Sequence, residues 1–146
     1  MKKRRSVKTN SYRNLYILIV HISVYKMLIN KKDLIRINQE IGEQGNFANE
    51  ASLDFALSML KERKSWLYTL SYLVRCILID HVFRDGNKRT AFTLICTVLD
   101  EQDMAFDGPK MYLGVMTITK KNMTNPLQIM RVIKNGIIPN TSTTNH

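Results

Sequence analysis

The chain has 146 residues, of which 45% are hydrophobic, so it is long enough to bury one core and too short for several domains. Its net charge of +10 and pI near 9.8 favour acidic partners, namely nucleotides, nucleic acid or an acidic protein. The two cysteines, Cys76 and Cys96, lie in apolar helical patterns without metal-ligand spacing. We interpret them as reduced core residues of a cytoplasmic protein.

Residues 1–29 form a basic and then apolar extension. The apolar part, interrupted by His21 and Lys26, is too short to predict a transmembrane helix, and no small-residue cleavage site follows it as in a signal peptide. We expect a helix there, with a strand as the alternative and a structural role for His21. The early cations are typical of a solvated tail; they are Lys2, Lys3, Arg4, Arg5, Lys8 and Arg13.

Three helices are predicted between this extension and the centre of the chain. Residues 31–42 have an amphipathic pattern with Leu34, Ile37 and Ile41 inward. A polar, turn-prone segment follows, and Ser52 is the predicted N-cap of the next helix. The third helix is indicated by apolar residues at three- and four-residue steps: Trp66, Leu67, Leu70, Leu73, Val74, Ile77 and Leu78.

The most informative stretch is residues 81–89, which reads His-Val-Phe-Arg-Asp-Gly-Asn-Lys-Arg. His81 should leave the preceding helix near its buried face, because it follows Ile77 by four residues. A new helix should begin near residues 85–87, with Asp85 as N-cap and Gly86 in a conformation that other residues avoid. Its inward residues are predicted to be Ala91, Leu94, Ile95, Val98, Leu99 and Gln102.

These residue types suit phosphoryl chemistry at a helix start. An imidazole such as that of His81 can take a proton from a hydroxyl, and Asp85 can bind Mg²⁺. The backbone from Gly86 to Lys88 can form an anion-binding nest, with Asn87 orienting a phosphate oxygen. Taken singly, each residue has a structural explanation as a turn, a cap or a solvated charge. Together, Lys88 and Arg89 at a helix start oppose the helix dipole, which favours a bound anion.

Two helices and a tail are predicted after the motif. Asp107-Gly108-Pro109 marks a turn with proline at the start of a helix that includes residues 111–119. Asn125-Pro126 opens a last helix that stops at Asn135-Gly136, with these residues inward: Leu127, Ile129 or Met130, and Ile133. Residues 139–146 are predicted to be a disordered tail.

The residues from His81 to Ala91 resemble the signature of the Fic/Doc family, which has the order His-x-Phe-x-(Asp/Glu/Asn)-(Gly/Ala)-Asn-(Gly/Lys)-Arg. The ending Lys88-Arg89-Thr90-Ala91 is similar to the death-on-curing (Doc) branch, whereas Gly86 is the more Fic-like choice. The resemblance extends over most of the chain, and we predict a Fic/Doc domain at residues 30–138. It implies an all-α helical bundle with a short flap, or a small β-hairpin, beside the active-site loop.

The resemblance also implies roles. His81 would be the catalytic base, Asp85 would hold Mg²⁺, and Gly86, Asn87, Lys88 and Arg89 would bind the phosphates of ATP. The flap, at Asn46, Phe47 and Ala48, would dock the target by strand-like pairing. Phe83 would pack under the loop.

The implied activity is transfer of AMP or phosphate from ATP to a hydroxyl of a target protein, such as a translation factor. Lys88 and Phe92 stand where AMP-transferring relatives have glycine and a second arginine, which favours a Doc-like kinase activity. An inhibitory (Ser/Thr)-x-x-x-Glu-(Gly/Asn) motif is missing, so a separate antitoxin is expected to inhibit the toxin. The alternative is a non-catalytic basic module that binds nucleic acid or an acidic protein, with no membrane partner in either case.

Overall fold

A computed structural model describes residues 29–62 and 64–139. Within these ranges the chain is mostly helical, with six α-helices and no extended strand. They are α1 (Lys31–Glu40), α2 (Glu50–Ser58), α3 (Trp66–Leu78), α4 (Asn87–Glu101), α5 (Gly108–Lys120) and α6 (Pro126–Gly136), with a 3-10 turn at Met59–Lys61. The predicted extension, apart from Ile29, and the predicted tail after Pro139 lie outside the described residues.

The fold is organised around α3 and α4, which pack against each other and carry most of the core. Helix α3 also contacts α2 and α6, while α4 also contacts α1 and α5. All the apolar residues predicted to be inward on α4 are buried: Ala91, Leu94, Ile95, Val98 and Leu99. The loop of residues 79–86 joins these two central helices, so the predicted motif is held between the two helices that carry most of the core.

The helix starts follow from local capping. The Asn30 side chain accepts from the Asp33 N–H, and the Asp33 carboxylate accepts from the Asn30 N–H, so α1 begins with a capping box. The predicted cap and proline at Asn125-Pro126 is confirmed. Asp107 caps α5, with Pro109 in its first turn.

Four details of the prediction are wrong. Asn49, not Ser52, caps α2, and the hydroxyl of Ser52 instead donates to Asp80. Gly86, not Asp85, holds the N-cap position of α4. Leu127 was predicted to be inward, but it is half exposed because Ile129 and Ile133 already fill the buried stripe of α6. His81 is exposed rather than near the buried face, because α3 ends at Leu78 and the chain has already turned.

The predicted flap residues, Asn46, Phe47 and Ala48, lie in an irregular segment, residues 41–49, that forms no hairpin within the described part of the chain. Its one pairing is an isolated antiparallel bridge between Phe47 and Phe83. The Ala48 N–H donates to the Val82 carbonyl at 2.8 Å, and the Arg84 N–H donates to the Asn46 carbonyl at 3.0 Å. The segment is therefore fastened directly to the motif loop.

Candidate functional site

The motif loop is anchored from below by two stacked phenylalanines. Phe83 is only 1% exposed, and its ring stacks on that of Phe47 with a centroid separation of 5.3 Å. The packing of Phe83 under the loop, predicted from sequence, is confirmed. Burying this ring together with Val82 fixes the middle of the loop, while His81 and Arg84 on either side of the pair are exposed.

The side chain of Asn87 closes the loop. Its Oδ1 accepts from the Phe83 N–H at 3.0 Å, and its Nδ2 donates to the Phe83 carbonyl at 2.8 Å. Both ends of the amide are therefore committed to the backbone, and one hydrogen of the Nδ2 group remains for another acceptor. The structure gives Asn87 a loop-closing role that the sequence analysis did not foresee.

A second amide, Asn38 of α1, ties three parts of the site together. It is 1% exposed; its Nδ2 donates to the Asp85 carbonyl and to the Thr90 hydroxyl, and its Oδ1 accepts from the Gly45 N–H at 2.8 Å. Sequence analysis missed it, although a signal was present: Asn38 follows Leu34 by four residues and so falls on the inward stripe of α1.

Asp80, the residue before His81, is held by a network of hydrogen bonds. The Asp80 carboxylate accepts from the Ser52 hydroxyl at 2.6 Å and from the Arg75 guanidinium at 3.3 Å. The Asp80 carbonyl accepts from the Asn49 side chain at 3.2 Å. These contacts link the loop to α2 and α3 immediately before His81.

His81 itself has a left-handed backbone, with a φ of 52°. Asp103 and Asn122 share this sign, but each follows the C-cap of a helix, where such a conformation is ordinary. His81 lies farther beyond the end of α3, between the Asp80 network and the buried Phe83. Strained backbone conformations that the surrounding residues hold in place occur most often at functional sites.

Helix α4 starts differently from the other described helices. Each of the other five α-helices has a side chain that caps its first turn, whereas α4 has none, and Gly86 occupies the N-cap with a φ of 74°. The N–H groups of the first turn of α4 therefore lack a capping acceptor. Together with the helix dipole, they make this end attractive to an anion.

One cavity of about 480 Å³ collects the predicted site residues. His81, Asp85, Gly86, Asn87, Lys88 and Arg89 all line it, joined by four residues that were not predicted: Leu78, Arg84, Tyr112 and Thr119. The lining side chains include three cations, Arg84, Lys88 and Arg89, against the single carboxylate of Asp85. The side chains that line the cavity therefore include more cations than carboxylates.

The predicted flap residues do not line this cavity. Asn46 lines a smaller neighbouring cavity of about 230 Å³, together with Asn38, Glu43, Gln44, Arg84 and Asp85. Phe47 and Ala48 line neither cavity and are paired with the motif loop. Arg84 and Asp85 line both cavities, so the two are adjacent.

Arg89 is already paired within the chain. Its Nη2 lies 2.6 Å from the Glu43 carboxylate, and its Nη1 donates to the Ile41 carbonyl at 2.9 Å. The pair is partly exposed, at 55% for the Arg89 side chain and 26% for that of Glu43. An anion that uses this guanidinium must compete with Glu43, which the sequence analysis did not anticipate.

Neither of the two thiols lines the cavity. Burial raises the pKa of the Cys76 thiol, and burial with a smaller effect of Asp100 raises that of Cys96 to about 11. Both cysteines are free, Cys76 is buried and Cys96 is partly so. Neither has the low-pKa surroundings of a reactive cysteine.

Comparison with models of known protein families, with curated proteins and with solved structures gave no significant match. Among the described residues, no helix has both the length and the apolar character needed to cross a membrane. In the same ranges, no group of three or more His, Cys, Asp or Glu side chains is arranged to hold a metal ion.

Proposed function

We propose that this protein is a Fic/Doc-type transferase that moves AMP or phosphate from ATP to a hydroxyl of a target protein. The observation that carries the proposal is the convergence of the six motif residues on one cationic cavity at an uncapped helix start. A loop with a purely structural role would not require an uncapped helix start or an excess of cations. A phosphate chain can bind both the uncapped N–H groups and the cations.

In the proposed reaction, His81 is the general base. Its imidazole is exposed and lines the cavity, so a hydroxyl brought to the cavity mouth can reach it. His81 takes the hydroxyl proton while the oxygen forms a bond to phosphorus. Attack at the α-phosphorus breaks the bond to the β-phosphate and releases pyrophosphate; attack at the γ-phosphorus releases ADP.

The first turn of α4 would hold the charge that develops on the phosphate. The backbone N–H groups after Gly86 and the Lys88 ammonium face the same cavity. Arg89 would join them once a phosphate oxygen replaces the Glu43 carboxylate. Asn87 would act mainly by keeping this turn in place, since its amide already binds the loop backbone.

Mg²⁺ fits the donor set at Asp85. The Asp85 carboxylate is exposed, lines the cavity and forms no ion pair with another residue in the described ranges. Mg²⁺ typically binds through one or two carboxylates together with substrate phosphates and several waters. Bound there, it would neutralise phosphate charge, and Asp85 would be its protein ligand.

The target chain would dock along Phe47. Because Asn46 and Ala48 supply the hydrogen bonds to the motif loop, the N–H and C=O of Phe47 point away from that loop. The one described contact of its carbonyl, from Arg84 Nε, is long at 3.5 Å. An extended target segment can pair with this free edge, which supports the docking role proposed for residues 46–48.

A toxin with a separate antitoxin is the biological setting we propose, in the cytoplasm. The inhibitory motif of many Fic proteins is absent from the sequence, and Glu43, which pairs with Arg89, belongs to no such motif. The competition by Glu43 is modest for an exposed pair, so full inhibition would need a further protein.

The test is incorporation of label from ATP carrying it at the α or the γ phosphate, in cell extract with Mg²⁺. Label from the α position identifies AMP transfer, and label from the γ position identifies phosphorylation. His81→Ala should lose at least about 100-fold in rate if His81 is the base. His146→Ala, which removes another histidine far along the sequence, is the matched control and should keep the wild-type rate.

If the protein is folded, binds no nucleotide and incorporates no label from either position, the binding module would be the better candidate. One observation favours that alternative: residues 108–139 contain five cations and no carboxylate. Two of these, Lys121 and Arg131, line a surface cavity of about 410 Å³. Salt-dependent binding of nucleic acid that is abolished by Lys121→Ala together with Arg131→Ala would then support it.

A further inference from the structure

The backbone of His81 is held through the residues on either side of it. Within the described part of the chain, the His81 N–H and C=O form no hydrogen bond with another backbone group. The carbonyl of Val82, which follows His81, accepts from the N–H groups of Ala48 and Asn49 at 2.8 and 3.1 Å. The carbonyl of Asp80, which precedes His81, accepts from the Asn49 side chain at 3.2 Å. The residues just before α2 therefore hold the loop on both sides of His81.

The conformation that these contacts maintain at His81 is one that L-amino acids avoid. Its φ of 52° is left-handed, and for a residue with a Cβ such a backbone is disfavoured by about fivefold to about 30-fold. A loop without these contacts would relax towards a negative φ. The imidazole would then leave the place that it occupies in the wall of the cavity.

The shortest hydrogen bond next to His81 belongs to the Asp80 carboxylate, which accepts from the Ser52 hydroxyl at 2.6 Å. The same carboxylate lies 3.3 Å from Arg75 Nη1, and both side chains of this ion pair are only 24% exposed, so solvent screens the pair weakly. Asp80 does not line the cavity, and no step of the proposed reaction uses it. Since Ser52 lies on α2 and Arg75 on α3, the carboxylate fastens the start of the loop to two helices.

The segment that holds Asp80 also carries the proposed docking edge. Residues 46–52 include Phe47, with which the target would pair, and both Asn49 and Ser52, which bind Asp80. One short stretch of chain would therefore place the base and the acceptor hydroxyl relative to each other. Catalysis is sensitive to this separation, because an error of about 1 Å can cost about 100-fold in rate.

We infer that Asp80 is a positioning residue for His81. Its carboxylate, bound by Ser52 and Arg75, keeps the base in the left-handed conformation that presents the imidazole to the cavity. The inference rests on the proposed function and deepens it by assigning a role to a residue outside both the motif and the cavity. The competing explanation is that the Asp80 network only stabilises the junction of α2 and α3.

The rate of label transfer from ATP in cell extract, measured over a range of ATP concentrations, separates the two explanations. Asp80→Ala should lower the rate at saturating ATP by about 10-fold to about 100-fold. The ATP concentration for half-maximal rate should stay within about twofold, because the first turn of α4, and not His81, binds the phosphates. Asp80→Asn keeps an oxygen that can accept from the Ser52 hydroxyl, so it should recover part of the lost rate.

Ser52→Ala removes one hydrogen bond to the Asp80 carboxylate and should lower the saturated rate by about twofold to about 12-fold. Combined with Asp80→Ala it should cause no further loss, because both substitutions remove the same contact. Ser58→Ala is the matched control, since its hydroxyl lies on the same helix and donates to the Phe55 carbonyl of that helix. An unchanged rate in Asp80→Ala, additive losses in the double variant, or an equal loss in Ser58→Ala would overturn the inference.

A spectroscopic measurement on His81 does not require transfer activity. Scalar couplings across its N–Cα bond, measured by NMR on isotope-labelled protein, report its φ. They should indicate a positive φ in wild type and in Ser58→Ala, and a negative or averaged φ in Asp80→Ala. If Asp80→Ala does not fold, Ser52→Ala and Asp80→Asn give the same comparison with a smaller change.

The two measurements distinguish failure of the inference from failure of the proposed function. A positive φ retained in folded Asp80→Ala, or a negative φ in wild type, would overturn the positioning role even if the rate falls. Wild-type protein that transfers no label from either position of ATP would overturn the proposed function, and the couplings would still decide whether Asp80 sets the conformation of His81.

Discussion

Replacing Glu43 by glutamine should strengthen anion binding at the motif. The carboxylate of Glu43 lies 2.6 Å from Arg89 Nη2, so a phosphate and this carboxylate compete for one guanidinium. The substitution keeps the size and polarity of the side chain and removes only its charge. The effect therefore isolates the electrostatic competition.

Two contributions set the expected magnitude. A partly exposed ion pair is worth about 0.2–1 kcal/mol, which a binding anion no longer has to offset in the variant. Repulsion between the Glu43 charge and a phosphate near 4 Å adds about 1 kcal/mol in water-like surroundings. The sum, about 1.2–2 kcal/mol, corresponds to a Kd for tripolyphosphate or ATP that is about eightfold to about 30-fold lower.

The assay is calorimetric titration at low ionic strength, repeated at high salt, where the gain should shrink because exposed charges are screened. Glu40→Gln is the matched control, since it removes a carboxylate from the same region that faces Arg36 instead of Arg89. An unchanged or weaker affinity in Glu43→Gln would refute the competition and would mean that anions do not use Arg89.

Three further predictions concern the loop and the thiols. Asn87→Ala should lower the free energy of unfolding by about 1–3 kcal/mol in urea titration, because two hydrogen bonds to the loop backbone disappear; an unchanged value would show that the loop does not need them. Gly86→Ala should lower the free energy of unfolding by at least about 1–2 kcal/mol, because the φ of Gly86 is 74° and the new Cβ would lie 2.6 Å from Glu43 Cγ. Gly108→Ala is the control and should be neutral, because a Cβ at Gly108 meets nothing within 4 Å. Burial raises the pKa of Cys96 to about 11, so this thiol should react with a thiol reagent at pH 8 far more slowly in native than in urea-unfolded protein, and equal labelling rates would contradict this. The stability gained by keeping the thiol protonated in the native state should be complete below pH 9 and should fall as the pH rises towards 11.

The helical architecture was largely readable from the sequence. Apolar residues at three- and four-residue steps predicted the buried faces of α3 and α4, and the capping signals at Asn125 and Asp107 predicted where α6 and α5 begin. These features depend on neighbours within about one helical turn, which is the range over which periodicity and capping act.

Local signals failed where a distant residue competes for the same group. Ser52 has the chemistry of a cap, but its hydroxyl binds Asp80, and Asn49 caps α2 instead. Asp85 has the chemistry of a cap as well, yet Asn38 holds its carbonyl and Gly86 takes the cap position. No pattern along the chain indicates which long-range partner wins.

The sequence by itself determined a mostly helical chain and nominated a histidine, a carboxylate and a run of phosphate-binding types from His81 to Arg89, because their spacing is a property of a few consecutive residues. Only the tertiary structure decided what these residues face. It joined them with Tyr112 and Thr119 of α5 around one cavity, committed Asn87 to the loop and paired Arg89 with Glu43. The physical reason is that charge competition and cavity shape depend on which surfaces the packing of α1, α4 and α5 brings together, and this is settled by the whole core rather than by local spacing.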